Sequence, residues 1–239
     1  MLSIIIPARN EADNLKDILN YFEENLLEVD FEVLLINDFS NDQTLSKAEK
    51  IFKSKNRFKV FDNKKKGLGG AINLGIENVR GDNTVIMMAD MSDDIEDLKK
   101  YNDLINRENL DAVLGSRFIK DSEVISYPFQ KLVLNRIFNL FVSLIFWNKY
   151  NDYTNAFKIY KTKILKDLMP LVSESFNIFL EIPLKVISRK YNYKIIPIKW
   201  KGRKKGEAKF KIKELGSKYL FTLIYCFIEK NLLNIKKWN

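Results

Sequence analysis

Acids that follow apolar runs are the residues of this chain best suited to chemistry. Asp90 ends the run Thr84–Ala89, which has the length of a strand and is almost wholly apolar. A strand without polar alternation is typical of the centre of a parallel sheet, and ligands of such sheets gather at the carboxyl ends of the strands. We therefore expect Asp90 to face a ligand, where its carboxylate can hold a ribose, a base or a divalent cation.

Two further acids, Asp93 and Asp94, admit a different interpretation. Together with Ser92 they precede the helical pattern Ile95–Arg107, so each could cap that helix or favour its positive end. We assign Asp93 and Asp94 to this capping role. Asp90 remains the ligand-facing acid because it lies before the capping positions.

A second acid cluster follows another predicted strand, and basic residues elsewhere in the chain carry the opposite charge. The apolar strand Phe31–Ile36 leads to Asp38, Arg117 follows another strand, and Arg203 and Lys209 lie in a basic segment with glycine hinges. Arginine offers phosphate a rigid and permanently charged fork. Acidic strand ends that face these cations form the combination needed to bind a sugar nucleotide, and the basic segment is predicted to act as a lid.

The segment Gly67-Leu68-Gly69-Gly70 leaves two interpretations open. Its backbone amides could cradle a phosphate, although the spacing fits neither a dinucleotide fingerprint nor a P-loop. A tight turn that lets the next helix lie close to the sheet explains the glycines equally well.

Alternating strands and helices must position these residues. The predicted strands are Leu2–Ile6, Phe31–Ile36, Phe58–Phe61, Thr84–Met88, Asp111–Leu114 and Ile195–Ile198. Helical patterns lie between them, including Phe129–Tyr150 and Phe179–Tyr191. This alternation predicts an α/β fold with a mostly parallel, doubly wound sheet and helices on both faces.

Composition narrows the chemistry. The 239 residues are 46% hydrophobic and contain no histidine and one cysteine, Cys226. The lack of histidine excludes Ser-His-Asp hydrolysis, His–Zn sites and imidazole acid–base catalysis. A single cysteine cannot form a disulfide framework or a thiolate metal site, which favours a reducing, cytoplasmic compartment.

Charge is divided unevenly along the chain. Residues 1–110 hold 15 basic and 21 acidic residues, a net charge of −6, whereas residues 111–239 hold 25 and 10, a net charge of +15. A basic half suggests phosphate-bearing ligands or an anionic membrane surface. Nucleic acid is disfavoured because the basic residues sit beside apolar helices and are not interleaved with stacking aromatics.

Two segments have wide apolar faces, Phe129–Tyr150 and Leu215–Ile235. The most apolar run, Tyr219–Ile228, covers about half of the ~20 residues needed to cross a bilayer, so we expect no transmembrane helix. Peripheral docking at the cytoplasmic face of a membrane is one interpretation. Packing on the sheet or in a homo-oligomer interface is the other.

Five motifs, in this order and context, resemble those of the family 2 glycosyltransferases, and within them the dolichyl-phosphate mannosyltransferase type. They are Ile4–Glu11, Asn37–Ser40, Met88–Asp90, Gly115–Phe118 and the set Arg203, Gly206 and Lys209. The resemblance spans essentially the whole chain. It implies a GT-A domain over residues 1–212, followed by an apolar and basic helix over residues 213–239 that packs on the domain or lies at a membrane surface.

The resemblance also implies roles for individual residues. The donor-binding positions are Pro7, Ala8, Asn10, Glu11, Asp38, Gly67, Ala89 and Asp90. Asp90 would also ligate a divalent cation, Mg²⁺ or Mn²⁺. Two departures stand out, because Asn37 replaces the first acid of an Asp-Asp pair and Met88 replaces the first acid of Asp-x-Asp. A cation would then rest on Asp90, donor phosphates, waters and Ser92, which predicts weak binding.

The implied reaction is inverting transfer of a sugar from a GDP- or UDP-sugar to a polyprenyl phosphate. A phosphate monoester is anionic at neutral pH and needs no dedicated general base, which suits a chain without histidine. The roles of alignment and charge neutralisation fall to Arg117, Arg203, Lys209 and the cation. Asp152 and Glu181 match family positions near the site, but we expect structural partners for both.

Two alternatives remain open. One is a catalytically silent binding module that docks on membrane or protein, an interpretation supported by Met88. The other is a glycosyltransferase with a non-lipid acceptor.

Overall fold

Nine strands occur in residues 1–202 and 212–235, the part of the chain described by the computed structural model. They are β1 (Leu2–Ala8), β2 (Phe31–Asn37), β3 (Phe58–Asp62), β4 (Asn83–Ile86), β5 (Ala112–Ser116), β6 (Glu123–Ile125), β7 (Lys158–Lys161), β8 (Tyr193–Pro197) and β9 (Lys199–Lys201). Seven form the central sheet in the order β3-β2-β1-β4-β7-β5-β8, and β6 pairs with β9 in a small parallel sheet.

All neighbours in the central sheet are parallel except β7, which runs antiparallel to both β4 and β5. The predicted α/β fold with a mostly parallel sheet is confirmed. The sequence pattern missed β7 because this strand has only four residues and carries a lysine at each end, so it contains no apolar run of strand length.

Eight helices occur in the described residues. They are α1 (Leu15–Asn25), α2 (Thr44–Phe52), α3 (Leu68–Asn78), α4 (Ile95–Arg107), α5 (Phe129–Phe146), α6 (Thr162–Asp167), α7 (Ile178–Ser188) and α8 (Ile212–Ile235). Helix α5 ends four residues before the predicted Tyr150, because Trp147 adopts a left-handed conformation with φ 50°.

Apolar side chains bury both faces of the sheet. Ile5 of β1 points into a core shared with α3, α6, α7 and α8, whereas its neighbours Ile4 and Ile6 point into a core shared with α1, α2 and α4. This alternation along one strand is the period-2 pattern of a sheet covered on two sides. The layers leave the carboxyl edge of β1, β2 and β4 for the polar loops.

Helices α5 and α8 lie side by side. The rings of Phe138 and Tyr219 are 5.5 Å apart, those of Phe146 and Phe227 are 6.2 Å apart, and the Lys230 ammonium donates to the Phe146 carbonyl at 3.1 Å. Both helices expose large apolar residues. These include Leu134, Ile137, Leu140, Phe141, Leu144, Leu220, Phe221, Ile224, Ile228 and Leu232.

Helix α5 has 18 residues and a mean hydropathy of 1.3, and 17% of it is buried in the molecule. By length and composition alone it is long and apolar enough to cross a membrane. The sequence analysis did not single it out because it considered the longest uninterrupted apolar run, whereas average hydropathy tolerates isolated polar residues. The absence of a transmembrane helix stays a prediction.

Helix α8 is joined to α7 and the loop before it. The Asn177 amide donates to the Thr222 hydroxyl at 2.9 Å, and Arg189 pairs with Glu229 at 2.7 Å. The division of the chain at residue 212 into a domain and a separate helix stays a prediction.

Candidate active site

The loops after β1 and β2 are fastened to each other at the carboxyl edge of the sheet. Pro7 and Ala8 end β1 beside Ile36 and Asn37 of β2. The side-chain carbonyl of Asn10 accepts from the Asn41 amide at 2.8 Å, and the Asn10 amide donates to the Ser40 hydroxyl at 3.0 Å. Likewise, the Glu11 amide donates to the Thr44 hydroxyl at 2.9 Å. The predicted nucleoside residues therefore form one cross-linked rim.

Asp38 is buried and is fixed by the glycine loop. Its Oδ1 accepts from the Gly67 amide at 2.8 Å and from the Asn63 side-chain amide at 2.9 Å. Gly67 has φ +118°, which a side chain would strain, and a Cβ there would lie 2.7 Å from the Glu174 carbonyl oxygen. The glycine loop thus has a structural role, but Gly67 allows a close approach to the loop before α7, whereas the turn interpretation expects one to the sheet. Contact of Gly67 with a donor phosphate stays a prediction.

The loop after β4 carries Ala89, which is buried, and Asp90. The Asp90 carboxylate accepts from the Ser92 amide at 3.2 Å, a contact that folds the loop back on itself. Because β1 lies between β2 and β4, Asp38 and Asp90 follow the two strands that flank β1. The sheet order therefore brings the two predicted acids to the same edge.

Asp94 caps α4 as expected, since its Oδ1 accepts from the amides of Glu96 at 2.8 Å and Asp97 at 3.4 Å. The capping role expected for Asp93 is wrong. Asp93 is buried at 4% exposure, and its backbone forms an isolated antiparallel β-bridge with that of Trp200. Burial, followed by repulsion from Asp90, raises the pKa of Asp93 to about 7. Strand β9, distant in sequence, pairs with the backbone at Asp93, and sequence spacing gives no sign of this pairing.

Arg117 is held by Asp152 in a buried bidentate pair. Asp152 Oδ2 accepts from the Arg117 amide and Nε, both at 2.9 Å, and Oδ1 accepts from a terminal guanidinium nitrogen at 2.7 Å. Burial opposes the charge of Arg117, but Asp152 outweighs it and raises its pKa. The guanidinium also lies over the rings of Tyr127 at 5.4 Å and Trp200 at 5.7 Å. The phosphate fork expected at Arg117 is therefore largely occupied by Asp152.

Sequence reasoning missed Lys158, which is buried beside this pair at 1% exposure. Asp93 interacts electrostatically with both Arg117 and Lys158, so acids and bases alternate in one cluster. Burial lowers the pKa of Lys158 to about 7, Arg117 adds to the decrease, and Asp152 opposes it. A lysine between Phe157 and Ile159 is the signal that could have revealed it.

Glu181 has structural partners, as expected. Its two carboxylate oxygens accept from the amides of Val172 and Ser173 at 3.0 and 2.8 Å, and Lys185 pairs with it at 2.9 Å. This ion pair joins two residues of α7, and both side chains also bind the backbone of the loop before the helix.

The atoms near Asp90 decide whether the predicted cation has ligands there. Met88 packs against the core that contains α3 and α7, and its thioether is a poor ligand for Mg²⁺ or Mn²⁺. Among the described residues, no group of three or more acids and cysteines could hold a metal ion. The Asp90 carboxylate and the Ser92 hydroxyl are oxygen ligands suited to a hard cation, so the residues fit a cation held jointly with a diphosphate.

Arg203 and Lys209, with the predicted lid, lie outside the described residues. The chain reaches Gly202 along β9, next to the acid loop, where the Lys201 amide donates to the Ser92 carbonyl at 3.1 Å. The Lys199 amide donates to Asp97 at 2.7 Å. These two contacts fix the segment immediately before Arg203 beside the acids.

Comparison with known proteins gives a consistent classification. Residues 3–169 match the family described as "Glycosyl transferase family 2". The chain is 29% identical over 220 residues to the dolichol-phosphate mannosyltransferase of Pyrococcus furiosus, an alignment that covers 90% of this chain and 60% of that protein. It is 26% identical over 230 residues to the polyprenol monophosphomannose synthase of Mycolicibacterium smegmatis, covering 89% of this chain and 86% of that protein.

The fold is similar to that of solved transferases. The glucosyl-3-phosphoglycerate synthase of Mycobacterium tuberculosis, solved with Mn²⁺, UDP-glucose and phosphoglyceric acid, superposes with a TM-score of 0.71 at 13% identity. The match covers 95% of this chain and 79% of that one. At this identity the likeness establishes the GT-A fold alone.

Proposed function

Since the chain belongs to glycosyl transferase family 2, we propose that it transfers a sugar from a nucleotide-sugar donor to a polyprenyl phosphate, inverting the anomeric centre. The two curated relatives with polyprenyl acceptors in their names support this acceptor class. The chain spans 60% of the length of one of them, so the activity of the whole protein is part of the proposal.

One observation of the fold carries the choice of a lipid acceptor. The loop that holds Asp152 rests on the polar side of α5, whose opposite side is apolar and exposed. Three contacts make this junction: Asn135 to the Thr154 hydroxyl at 2.6 Å, the Tyr153 amide to Asn139 at 2.6 Å, and Ser143 to the Tyr150 carbonyl at 2.6 Å. A lipid lying along the exposed side of α5 would be separated from the loop that carries Asp152 by this one helix.

The donor lies along the rim made by β1, β2 and β4 in this proposal. Pro7, Ala8, Asn10, Glu11 and Asp38 contact the nucleoside, while Gly67, Ala89 and Asp90 face the diphosphate. A divalent cation bound by Asp90 would supply positive charge to that diphosphate. With Met88 unable to contribute an acid, we propose that binding of the cation depends on the donor.

The chemical step needs alignment more than acid–base catalysis. An oxygen of the acceptor phosphate attacks the anomeric carbon, the bond from that carbon to the diphosphate oxygen breaks, and its electron pair leaves with the nucleoside diphosphate. Charge then moves from the acceptor to the leaving group, and fixed cations on both sides favour this transfer. Arg117, Arg203 and Lys209 are the proposed cations.

We propose that the exposed side of α5 and α8 lies on an anionic membrane, with residues 1–212 as the transferase domain and residues 213–239 as a helix at its membrane side. The polar side of α5 is bound to the protein through Asn135, Asn139 and Ser143, so lipid cannot surround this helix unless those bonds break. A helix with one bound polar side and one apolar side favours lying along a membrane over crossing it. The positive charge of residues 111–239 would attract anionic headgroups.

A transfer assay tests the proposal. Purified protein would be incubated with a panel of labelled GDP- and UDP-sugars, Mg²⁺ or Mn²⁺, and polyprenyl phosphate in anionic vesicles. We expect label from one donor to enter the organic phase as an acid-labile glycosyl phosphate. Label that enters only a water-soluble acceptor would favour a non-lipid acceptor, and no transfer from any donor would favour the silent binding module.

A further inference from the structure

Lys158 is a buried cation to which the chemistry above gives no role. It opens β7, and its pairing with Leu114 of β5 places it at the carboxyl edge of the sheet, beside the site. Its side chain is 1% exposed. Burial of an ammonium group is unfavourable unless it is hydrogen-bonded and paired, so its neighbours indicate why a lysine is present here.

The ammonium of Lys158 binds the loop over residues 151–155. It donates to the Tyr153 carbonyl at 3.1 Å and to the Asn155 carbonyl, and it lies 5.8 Å from the centre of the Tyr150 ring. A lysine presents several donors at a single point, which lets it join two carbonyls of one turn. The contacts fix the loop at Tyr153 and Asn155, directly after Asp152.

That loop carries the carboxylate that orients Arg117. Asp152 takes three hydrogen bonds from Arg117, one from the amide and two from the guanidinium. A shift of the loop therefore moves both ends of Arg117. Asp152 and Asp93 favour the charged form of Lys158, whereas burial and Arg117 oppose it.

We propose that Lys158 is a positioning residue, which holds the loop over residues 151–155 so that Asp152 presents Arg117 to the phosphates of the reaction. The inference rests on the proposed function for its substrate. The contacts of Lys158 with the loop, and of the loop with Arg117, do not depend on that function. Lys158 does not touch the substrate in this arrangement.

A double-mutant cycle tests the proposal. Lys158→Met keeps the length and apolar body of the side chain and removes the donors. We expect turnover at saturating substrates to fall by about 100-fold, as for other small misplacements of a reacting group, with donor affinity unchanged by calorimetry. In an Arg117→Ala background, the same change should alter turnover by less than about twofold, because Lys158 acts through Arg117. An equal loss in both backgrounds would overturn the proposal.

Lys185→Met is the matched control. Lys185 is 2% exposed and pairs with Glu181, away from Arg117. We expect it to lower the unfolding temperature without an Arg117-dependent loss of turnover. If Lys158→Met does not fold, Lys158→Gln enters the same cycle. Should neither variant fold, Lys158 would be a folding residue and the positioning role would be rejected.

A spectroscopic signal separates this proposal from the proposed function. The Arg117 guanidinium lies 5.7 Å from the centre of the Trp200 ring, so its displacement should change the emission of Trp200. In a background that carries both Trp147→Phe and Trp238→Phe, Trp200 is the single tryptophan. There we expect Lys158→Met to shift that emission in the presence of Arg117 and not in its absence. If the wild type shows no transfer but Lys158→Met still shifts the emission, the result would contradict the proposed function and not the positioning role. Emission that ignores Lys158 would contradict the positioning role.

Discussion

At the scale of single residues, the acids of the site differ in what already binds them. Asp94 caps a helix, Asp38 holds the Gly67 amide, Asp152 holds Arg117, and Asp90 folds its own loop toward Ser92. Only groups that can still reach a ligand will affect transfer without affecting the fold. The variants below separate these two roles.

Asp90→Asn should abolish transfer and leave the fold intact. The change removes the negative charge proposed to hold the cation while keeping the shape and one acceptor for the Ser92 amide. Transfer and thermal unfolding would be measured on the same preparation. Asp94→Ala is the control, and it should lose about 1 kcal/mol of stability through the helix cap while transfer is kept. Normal activity of a folded Asp90→Asn protein would reject the assignment.

Asp38→Ala should weaken donor binding by about 1–3 kcal/mol, the range for loss of a charge-assisted hydrogen bond. Stability should fall as well, because the Gly67 amide and the Asn63 side chain lose their shared acceptor. Calorimetric titration with the donor gives the affinity and urea unfolding gives the stability. Unchanged affinity with reduced stability would mean that Asp38 serves the loop alone.

At the scale of secondary-structure elements, close contacts between backbones decide which changes are tolerated. The start of α3 lies against the loop before α7, where the Gly69 amide donates to the Glu174 carbonyl at 3.1 Å. Helix α5 carries a polar stripe, Asn135, Asn139 and Ser143, spaced by four residues so that it faces one loop. Each contact joins a helix to a loop near the site. Both contacts lie on the face of the sheet that is packed against α5 and α8.

Gly69→Ala should destabilise the protein by about 1–3 kcal/mol, because its Cβ would lie 1.8 Å from the Ser173 carbonyl oxygen and the backbone must shift. Gly216→Ala is the opposite case. A Cβ at Gly216 meets nothing within 4 Å in α8, so the better helix propensity of alanine should add up to about 1 kcal/mol. Urea unfolding of both variants measures the difference, and equal effects would contradict the packing of α3.

At the scale of the whole molecule, the chain joins a polar sheet edge to an apolar and basic surface. The apolar sides of α5 and α8 adjoin each other, and both helices contact loops that lead to the site. This geometry suits an acceptor with a charged head and an apolar tail. It also predicts that membrane binding depends on salt, because exposed charges are screened within about 10 Å at 0.1 M salt.

The protein should float with anionic vesicles at low salt and should dissociate as salt rises, since each surface lysine contributes about 1 kcal/mol near anionic lipid. Leu144→Glu should abolish flotation because it places a charge in the apolar surface. Leu27→Glu is the control, since Leu27 is 75% exposed and Leu144 is 66% exposed, but Leu27 lies after α1. Equal flotation with neutral vesicles would contradict the electrostatic part of the proposal.

The sequence by itself determined the order of six of the nine described strands, the burial of both sheet faces and the placement of Asp38 and Asp90 at strand ends. These follow from local hydrophobic periodicity, which needs no knowledge of distant partners. Strand β7 was not predicted because its apolar pattern is too short and its two ends are charged.

Only the tertiary structure decided which charged groups are paired and buried. Arg117 and Asp152 are 35 positions apart, and Asp93 is covered by Trp200 from the other half of the chain. Lys158 enters the cluster because an antiparallel strand is inserted between β4 and β5. The environment of a charge depends on the strands and loops that pack around it, so sequence spacing could nominate the reactive residues but could not give their partners.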